Sequence, residues 1–385
     1  MIPYGRQSIS EDDVEAVVAV LRGDWLTQGP AVARFEQAMA GYTGAGYGVA
    51  VCNATAALHL ACLALGVSQG SRIWTSPNTF VASANCGRYC GAQVDFVDIE
   101  PDTYNLSATA LEAKLQDAER QGTLPDVVIP VHFAGQSCDM AAIAGLSRQY
   151  GFKIIEDAAH AVGADYLGKK VGSCLHSDIT VFSFHPVKII TTGEGGMLMT
   201  NDGDLQRALL RLRSHGITRK TEEMEQQAEG AWYYEQQQLG YNYRITDLQA
   251  ALGSSQLLRV DDFVARRRRL AARYDEQLAR LAVIVPQQRP FGRSSYHLYP
   301  IRLDAARTAR NRREVFEAMR EQGVGVNVHY LPVHLQPYYQ RLGFRAGQFP
   351  EAERYYAAAL SLPLFAAMTD SQQDQVIETL EGALA

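Results

Sequence analysis

The chain has 385 residues, 47% of them hydrophobic, and a formal net charge of −6. That length supports two domains with a large core, and so mild a charge leaves no footprint for nucleic acid or an anionic membrane. Six cysteines, at 52, 62, 86, 90, 138 and 174, form no CxxC pair and lack a zinc-type histidine pattern, so they read as reduced core thiols.

The start, MIPYGRQSISEDD, has no apolar stretch of the kind a secretion signal carries, and a cytoplasmic location is expected. Ser10 reads as the cap of a helix to about Leu21, with Asp13 in its first turn and Gly23 as its stop. Gly29-Pro30 opens a second helix, to about Gly41. Residues 48–66 are the most apolar window, but Asn53, Thr55 and His59 interrupt it, which predicts strand, turn and buried helix rather than a membrane span. Apolar strands are predicted near 48–52, 72–75, 93–97, 127–131, 153–156, 179–184 and 195–200, mostly separated by helical stretches. That alternation implies an α/β fold with a mostly parallel central sheet wrapped by helices. From about residue 258 the pattern changes to a long helix over roughly 257–282, strands near 296–303 and 324–329, then helices. The expected division is a large domain over 1–258, whose first residues pack on the small domain, and a smaller C-terminal α+β domain over 259–385. The basic run Arg266–Arg269 falls in the long helix and reads as a solvated face.

Two segments point to chemistry. In SFHPVKIITTGEGG, Ser183 to Gly196, one lysine, Lys188, stands between an apolar strand and a glycine-rich turn. A lysine held in such a frame loses solvation, so its neutral amine becomes accessible, as a Schiff-base lysine requires. In KIIEDAAHAVGA, residues 153–164, a buried strand ends at Asp157 and small residues are expected to open a helix. Ligands of open α/β sheets bind beyond the carboxyl ends of strands. Pyridoxal phosphate needs both a lysine and an anion against its ring nitrogen, because the protonated ring is the electron sink. An Asp at a strand end also serves as a helix cap; the pairing of Asp157 with Lys188 favours the cofactor.

These segments, with VCNATAALHLA (51–61), SPNTFVASAN (76–85), RSHG (213–216), GYNYRITDLQAALGSSQL (240–257) and VHYLPVH (328–334), resemble the DegT/DnrJ/EryC1/StrS nucleotide-sugar aminotransferases. The resemblance covers essentially the whole chain and implies the fold type I architecture of pyridoxal-phosphate enzymes. Lys188 is then the cofactor lysine and Asp157 the partner of the ring nitrogen. Ser183, and Ala54 and Thr55 at a helix start, hold the phosphate; Ala54 departs from the glycine most relatives carry there. Phe80 covers the ring face. His160 either orients the ring or caps the helix expected after Asp157. Asn242 reaches the cofactor phosphate of a neighbouring subunit, which implies a homodimer.

WLTQGP (25–30), FSFHPVK (182–188), RSHGITRK (213–220) and YHLYPI (296–301) are most similar to one subgroup, the UDP-4-amino-4,6-dideoxy-N-acetyl-β-L-altrosamine transaminases of pseudaminic acid synthesis, which serves flagellin glycosylation. By that likeness Tyr4, Asp24, Trp25, Leu26, Thr27, His329 and Tyr330 touch a UDP-linked keto sugar, and L-glutamate donates the amino group, leaving pyridoxamine phosphate midway. Trp25 and Leu26 read equally as core, and His329 as a satisfied strand histidine. Other keto sugar nucleotides (dTDP-, GDP-, or 3-keto) stay open. A pyridoxamine-dependent sugar dehydratase would carry histidine in place of Lys188, and a non-catalytic regulator would not be expected to keep Asp157, Ser183, Lys188 and Asn242 together.

Overall fold

A computed structural model describes residues 1–385. Its main sheet has seven strands, in the order Tyr47–Val51, Gly196–Thr200, Ile179–Ser183, Lys153–Asp157, Val127–Ile129, Arg72–Thr75, Gln93–Phe96. The four pairings from Ile179–Ser183 to the Gln93–Phe96 edge are parallel. The two at the other end, which join Gly196–Thr200 to its neighbours, are antiparallel. Both faces of the sheet are covered, which explains why the central strands read as continuous apolar runs. Phe182, Met197 and Met199 point into one core with Phe35, Met39 and Phe184. Val181, Leu198 and Ile155 point into the opposite core, against Leu58, Leu60 and Cys62 of the Ala54–Ala64 helix.

The first two helices start where expected. At Glu11–Leu21 the Asp13 carboxylate accepts from the Ser10 amide at 2.9 Å, while the Ser10 hydroxyl makes no cap bond, and Pro30 opens Pro30–Thr43. All six cysteines are free thiols, four of them buried. No helix is long and apolar enough to cross a membrane.

Beyond the large sheet, Val283–Ile284, Tyr299–Leu303 and Ala359–Leu362 form a three-stranded antiparallel sheet. Its core contains Tyr274, Ile301, Val326, Leu360 and Val376, and also Ile2 from the opposite end of the chain. Ile2 is bound on both sides, its amide to the Gly323 carbonyl and its carbonyl to the Gly325 amide. The Val260–Leu278 helix joins the two sheets: Val260, Phe263 and Val264 pack in the large core, Leu270, Tyr274 and Leu278 in the small one.

Three expectations are corrected. Segment 324–329 is no ladder strand; it makes only isolated bridges, Val324 to Ile2 and Asn327 to Ser361. The third strand is Ala359–Leu362, hidden in the sequence because it continues the helical run Pro350–Ala358 without a break. Residues 158–164 form consecutive turns, not a helix, with Ala161 bonded to the Ala158 carbonyl, Ala164 to the Ala161 carbonyl, and Gly163 at φ +78°. The Arg266–Arg269 run is not a solvated face: Arg267 is 2% exposed, and Arg268 is half-buried against the Ser294 carbonyl.

Candidate active site

A cavity of about 580 Å³ opens at the carboxyl ends of the parallel strands, where open α/β sheets bind ligands. Its floor is set by Asp157, the last residue of its strand and 5% exposed. The carboxylate is held rather than free: the Ser83 hydroxyl donates to Oδ2 at 2.6 Å and the Ala159 amide to Oδ1 at 3.1 Å. Thr79 lies 2.8 Å behind Ser83. A hydrogen bond to an ionised acceptor stabilises by about 1.5–3 kcal/mol, so this chain fixes the orientation of Asp157 before anything binds.

Lys188 enters on the loop that joins Ile179–Ser183 to Gly196–Thr200. Its amide bonds the His185 carbonyl, the Thr192 amide bonds the Phe184 carbonyl, and Gly193 turns the chain at φ +80°. A Cβ at Gly196 would stand 2.6 Å from the carbonyl carbon of Asn53, so only glycine lets this loop lie against the start of the Ala54–Ala64 helix. Lys188 is half-buried, and its side chain lines the cavity. Burial lowers its pKa from 10.5 to about 8, against a smaller opposing pull from the Asp157 charge.

The helix start is ready for an anion. Asn53 caps Ala54–Ala64 by accepting from the Ala56 amide at 2.8 Å. The first amides, of Ala54 and Thr55, have no intrahelical partner, and the positive end of the helix dipole lies there. Ser183, buried at the end of its strand, lines the same corner.

His160 belongs to the turns after Asp157, so capping a helix is not its role. Its Nδ1 lies 3.3 Å from the Ala134 amide, which can only donate; Nε2 therefore carries the proton, directed at the Tyr330 hydroxyl 3.3 Å away. His329 is buried, with Nδ1 on the Ser361 hydroxyl at 2.8 Å and Nε2 3.4 Å from Asn327. Burial, then the Lys188 charge, pushes its pKa down to about 3. Tyr4 packs 5.4 Å from the His329 ring. Phe80 stands at the rim, 58% exposed, its ring 6.4 Å from Tyr330.

One cavity thus gathers Tyr4, Ala54, Thr55, Phe80, Asp157, His160, Ser183, Lys188, His329 and Tyr330. Asp24, Trp25, Leu26, Thr27 and Asn242 do not line it. Thr27 bridges to Thr246 and Asn242 to Ser214, both on the surface, and Trp25, at 58% exposed, is not core. Ser83, His185, Glu194, His297 and Asn327 have no role in the sequence reading, although all but Asn327 lie inside motifs the resemblance rests on. A wider groove of about 700 Å³ follows the Gln93–Phe96 edge strand. Its Lys114 is already engaged by Asp95 and the Phe96 carbonyl, each at 2.6 Å, and it contains none of the groups above.

Comparison with known proteins agrees with this geometry. Residues 7–381 match the DegT/DnrJ/EryC1/StrS aminotransferase family. The chain belongs to that family. A UDP-4-amino-4,6-dideoxy-N-acetyl-β-L-altrosamine transaminase of Campylobacter jejuni is 36% identical over 385 residues, 100% of this chain and 98% of that one. The spore coat polysaccharide biosynthesis protein SpsC of Bacillus subtilis is 39% identical over 382 residues, 98% of this chain and 96% of that one. Among solved structures, Helicobacter pylori PseC, an aminotransferase involved in pseudoaminic acid biosynthesis, superposes with a TM-score of 0.89 at 29% identity, covering 100% and 99% of the two chains. Spr1654 of Streptococcus pneumoniae, in its PMP form, gives 0.89 at 29% over the same shares. As a DegT/DnrJ/EryC1/StrS enzyme the protein is a sugar aminotransferase that uses pyridoxal phosphate. The cavity fits that group chemically: a lysine with a depressed pKa, a fixed carboxylate, and free amides at a helix start.

Proposed function

We propose that the enzyme transfers the amino group of L-glutamate to C4 of a UDP-linked 4-keto-6-deoxy-N-acetylhexose, giving UDP-4-amino-4,6-dideoxy-N-acetyl-β-L-altrosamine for pseudaminic acid synthesis. The observation that carries this reading is the 36% identity to the C. jejuni altrosamine transaminase along the full chain. The site supports it, since cofactor groups of the large sheet face Tyr4, His329 and Tyr330 across one chamber.

Bound pyridoxal phosphate supplies the electron sink that makes a carbon–hydrogen bond acidic. Asp157 keeps a proton on the ring nitrogen. The amides of Ala54 and Thr55 and the hydroxyl of Ser183 hold the phosphate, and Phe80 covers the ring face. Lys188 Nζ, partly unprotonated near neutral pH, takes the proton from the α-carbon of glutamate. In the second half of the reaction it delivers a proton to C4 of the sugar, so one base serves both directions. L-glutamate and the keto sugar become 2-oxoglutarate and the amino sugar.

The test is a competition in kcat/KM between UDP-2-acetamido-2,6-dideoxy-β-L-arabino-hex-4-ulose, its D-xylo epimer and dTDP-4-keto-6-deoxyglucose. A pocket that bonds the acetamido group should disfavour the dTDP sugar by at least about 10²-fold. Preference for the dTDP sugar would refute the substrate assignment and leave the aminotransferase intact. The 39% identity to SpsC favours a second reading, amination of a keto sugar nucleotide for another polysaccharide, and the same panel separates the two.

The reading includes a homodimer in which Asn242 completes the neighbouring site. Trp25, Trp232 and Leu239 are exposed at 58%, 73% and 76%, surface that a subunit interface would cover. Mixing inactive Lys188→Ala chains with inactive Asn242→Ala chains should restore activity, because one site of each hybrid then carries neither lesion. No recovery, once subunit exchange is demonstrated by mass, would mean that Asn242 serves its own subunit.

A further inference from the structure

Arg267 is among the most deeply buried large side chains of the molecule, and it has no acidic partner. Its guanidinium Nη1 bonds three main-chain carbonyls instead: Tyr296 at 3.1 Å, His297 at 3.2 Å and Leu364 at 2.8 Å. Placing an unpaired cation in the interior is expensive, so its retention calls for a return beyond packing. Two of these carbonyls, of Tyr296 and His297, belong to a strap, Ser294–Leu298, pressed against the active site from behind. Within the strap the Ser295 hydroxyl bonds the His160 carbonyl at 2.9 Å, and the Ser295 amide bonds the Gly135 carbonyl. Tyr296 is bent to φ +50°, and His297 is delivered into the cavity wall.

The His297 ring packs on His160 at 4.4 Å between centroids. Its Nδ1 is buried without a hydrogen-bond partner. The imidazole is therefore held from its backbone, and the backbone is held by Arg267.

We propose that Arg267 and His297 form a positioning unit for Lys188, the guanidinium fixing the strap and the strap setting the His297 ring as a dry wall beside the amine. The proposal rests on Lys188 being the cofactor lysine. Lys188 shares the cavity with the Asp157 carboxylate and the imidazoles of His160, His297 and His329; Glu194, His185, Tyr4 and Tyr330 complete its ionisable lining. His160, His297 and His329 are all depressed, first by burial. They remain neutral around the lysine, while the Arg267 charge bears on His297. Loosening the strap admits water, and water favours the charged amine.

The measurement is made on the cofactor-free protein, by competitive acetylation with acetic anhydride across pH and peptide mapping of Lys188. His297→Ala and Arg267→Lys should each raise the Lys188 midpoint by about one pH unit or more, whereas His297→Phe, which restores a ring of similar size, should keep it at the wild-type value. In the cofactor-loaded enzyme the first two should lower kcat at least about tenfold with KM for the sugar nucleotide unchanged. Midpoints unaltered in both folded variants would overturn the proposal, as would a fall in activity carried by KM alone. If Arg267→Lys does not fold, His297→Ala against His297→Phe decides. Borohydride reduction of the loaded wild-type enzyme reports which lysine carries the cofactor, so failure of the Lys188 assignment is seen separately.

Discussion

Lys188→Ala should lose turnover by at least about 10⁴-fold, because it removes the covalent anchor and the proton carrier together. Borohydride should fix the cofactor to wild-type protein on the Lys188 peptide and to no lysine of the variant, and the absorbance of lysine-bound cofactor should vanish. The fold should survive, and the pH dependence of stability reveals why. The folded protein holds Lys188 at about 8 against an ordinary 10.5. Between those values the unfolded chain binds more protons, so this lysine makes stability rise with pH. Below pH 8 its full cost is present; above 10.5 none remains. Thermal unfolding of the cofactor-free proteins should find the variant at least as stable as wild type at pH 7, with the gap narrowing as pH rises from about 8 towards 10.5. Wild-type turnover in the variant would remove every role given to this residue.

Asp157→Asn should still bind pyridoxal phosphate and slow proton removal from glutamate by about 10²–10⁴-fold. The amide can accept from Ala159 and donate to the Ser83 oxygen, so the local bonds of the carboxylate have neutral substitutes. What is lost is the anion proposed to keep the ring nitrogen protonated. Single-turnover formation of 2-oxoglutarate, followed by stopped flow, isolates that step. An unchanged rate would show that Asp157 is a structural strand end. Asp157→Ala should be at least as slow and also leave Ser83 without its acceptor.

Much of the site was legible because the chemistry is concentrated in short contiguous segments. Lys188 with its glycines, Asp157 at the end of an apolar run, and Ala54-Thr55 after the first strand each announce a local geometry. The strands of the large sheet were equally visible, since burial on both faces leaves apolar runs between turns. Less legible were features fixed by distant parts of the chain. Residues 158–164 are small and helix-compatible, yet Ala158 bonds the Val181 carbonyl and the chain continues in turns. Asn327 reads as part of a strand, but its backbone makes only an isolated bridge, to Ser361. Ala359–Leu362 is hidden because alanine and leucine suit a helix as well as a strand. Arg267 looks like its three basic neighbours; only the carbonyls of Tyr296, His297 and Leu364, brought from elsewhere, distinguish it.

The position of Ile2 has a consequence for how the molecule is made. Ile2 docks between Gly323 and Gly325 and shares a core with Leu360 and Leu380. Its partners follow every strand of the seven-stranded sheet in the chain, so the segment around Ile2 must wait, undocked, while that sheet assembles, and this long sequence separation slows closure. Tyr4 waits with it. The lysine side of the chamber can form early, whereas the side facing the sugar is completed last, by a contact between the two ends of the chain. An affinity tag at the amino end would burden that late step; one after Ala385, which is exposed, would leave it free.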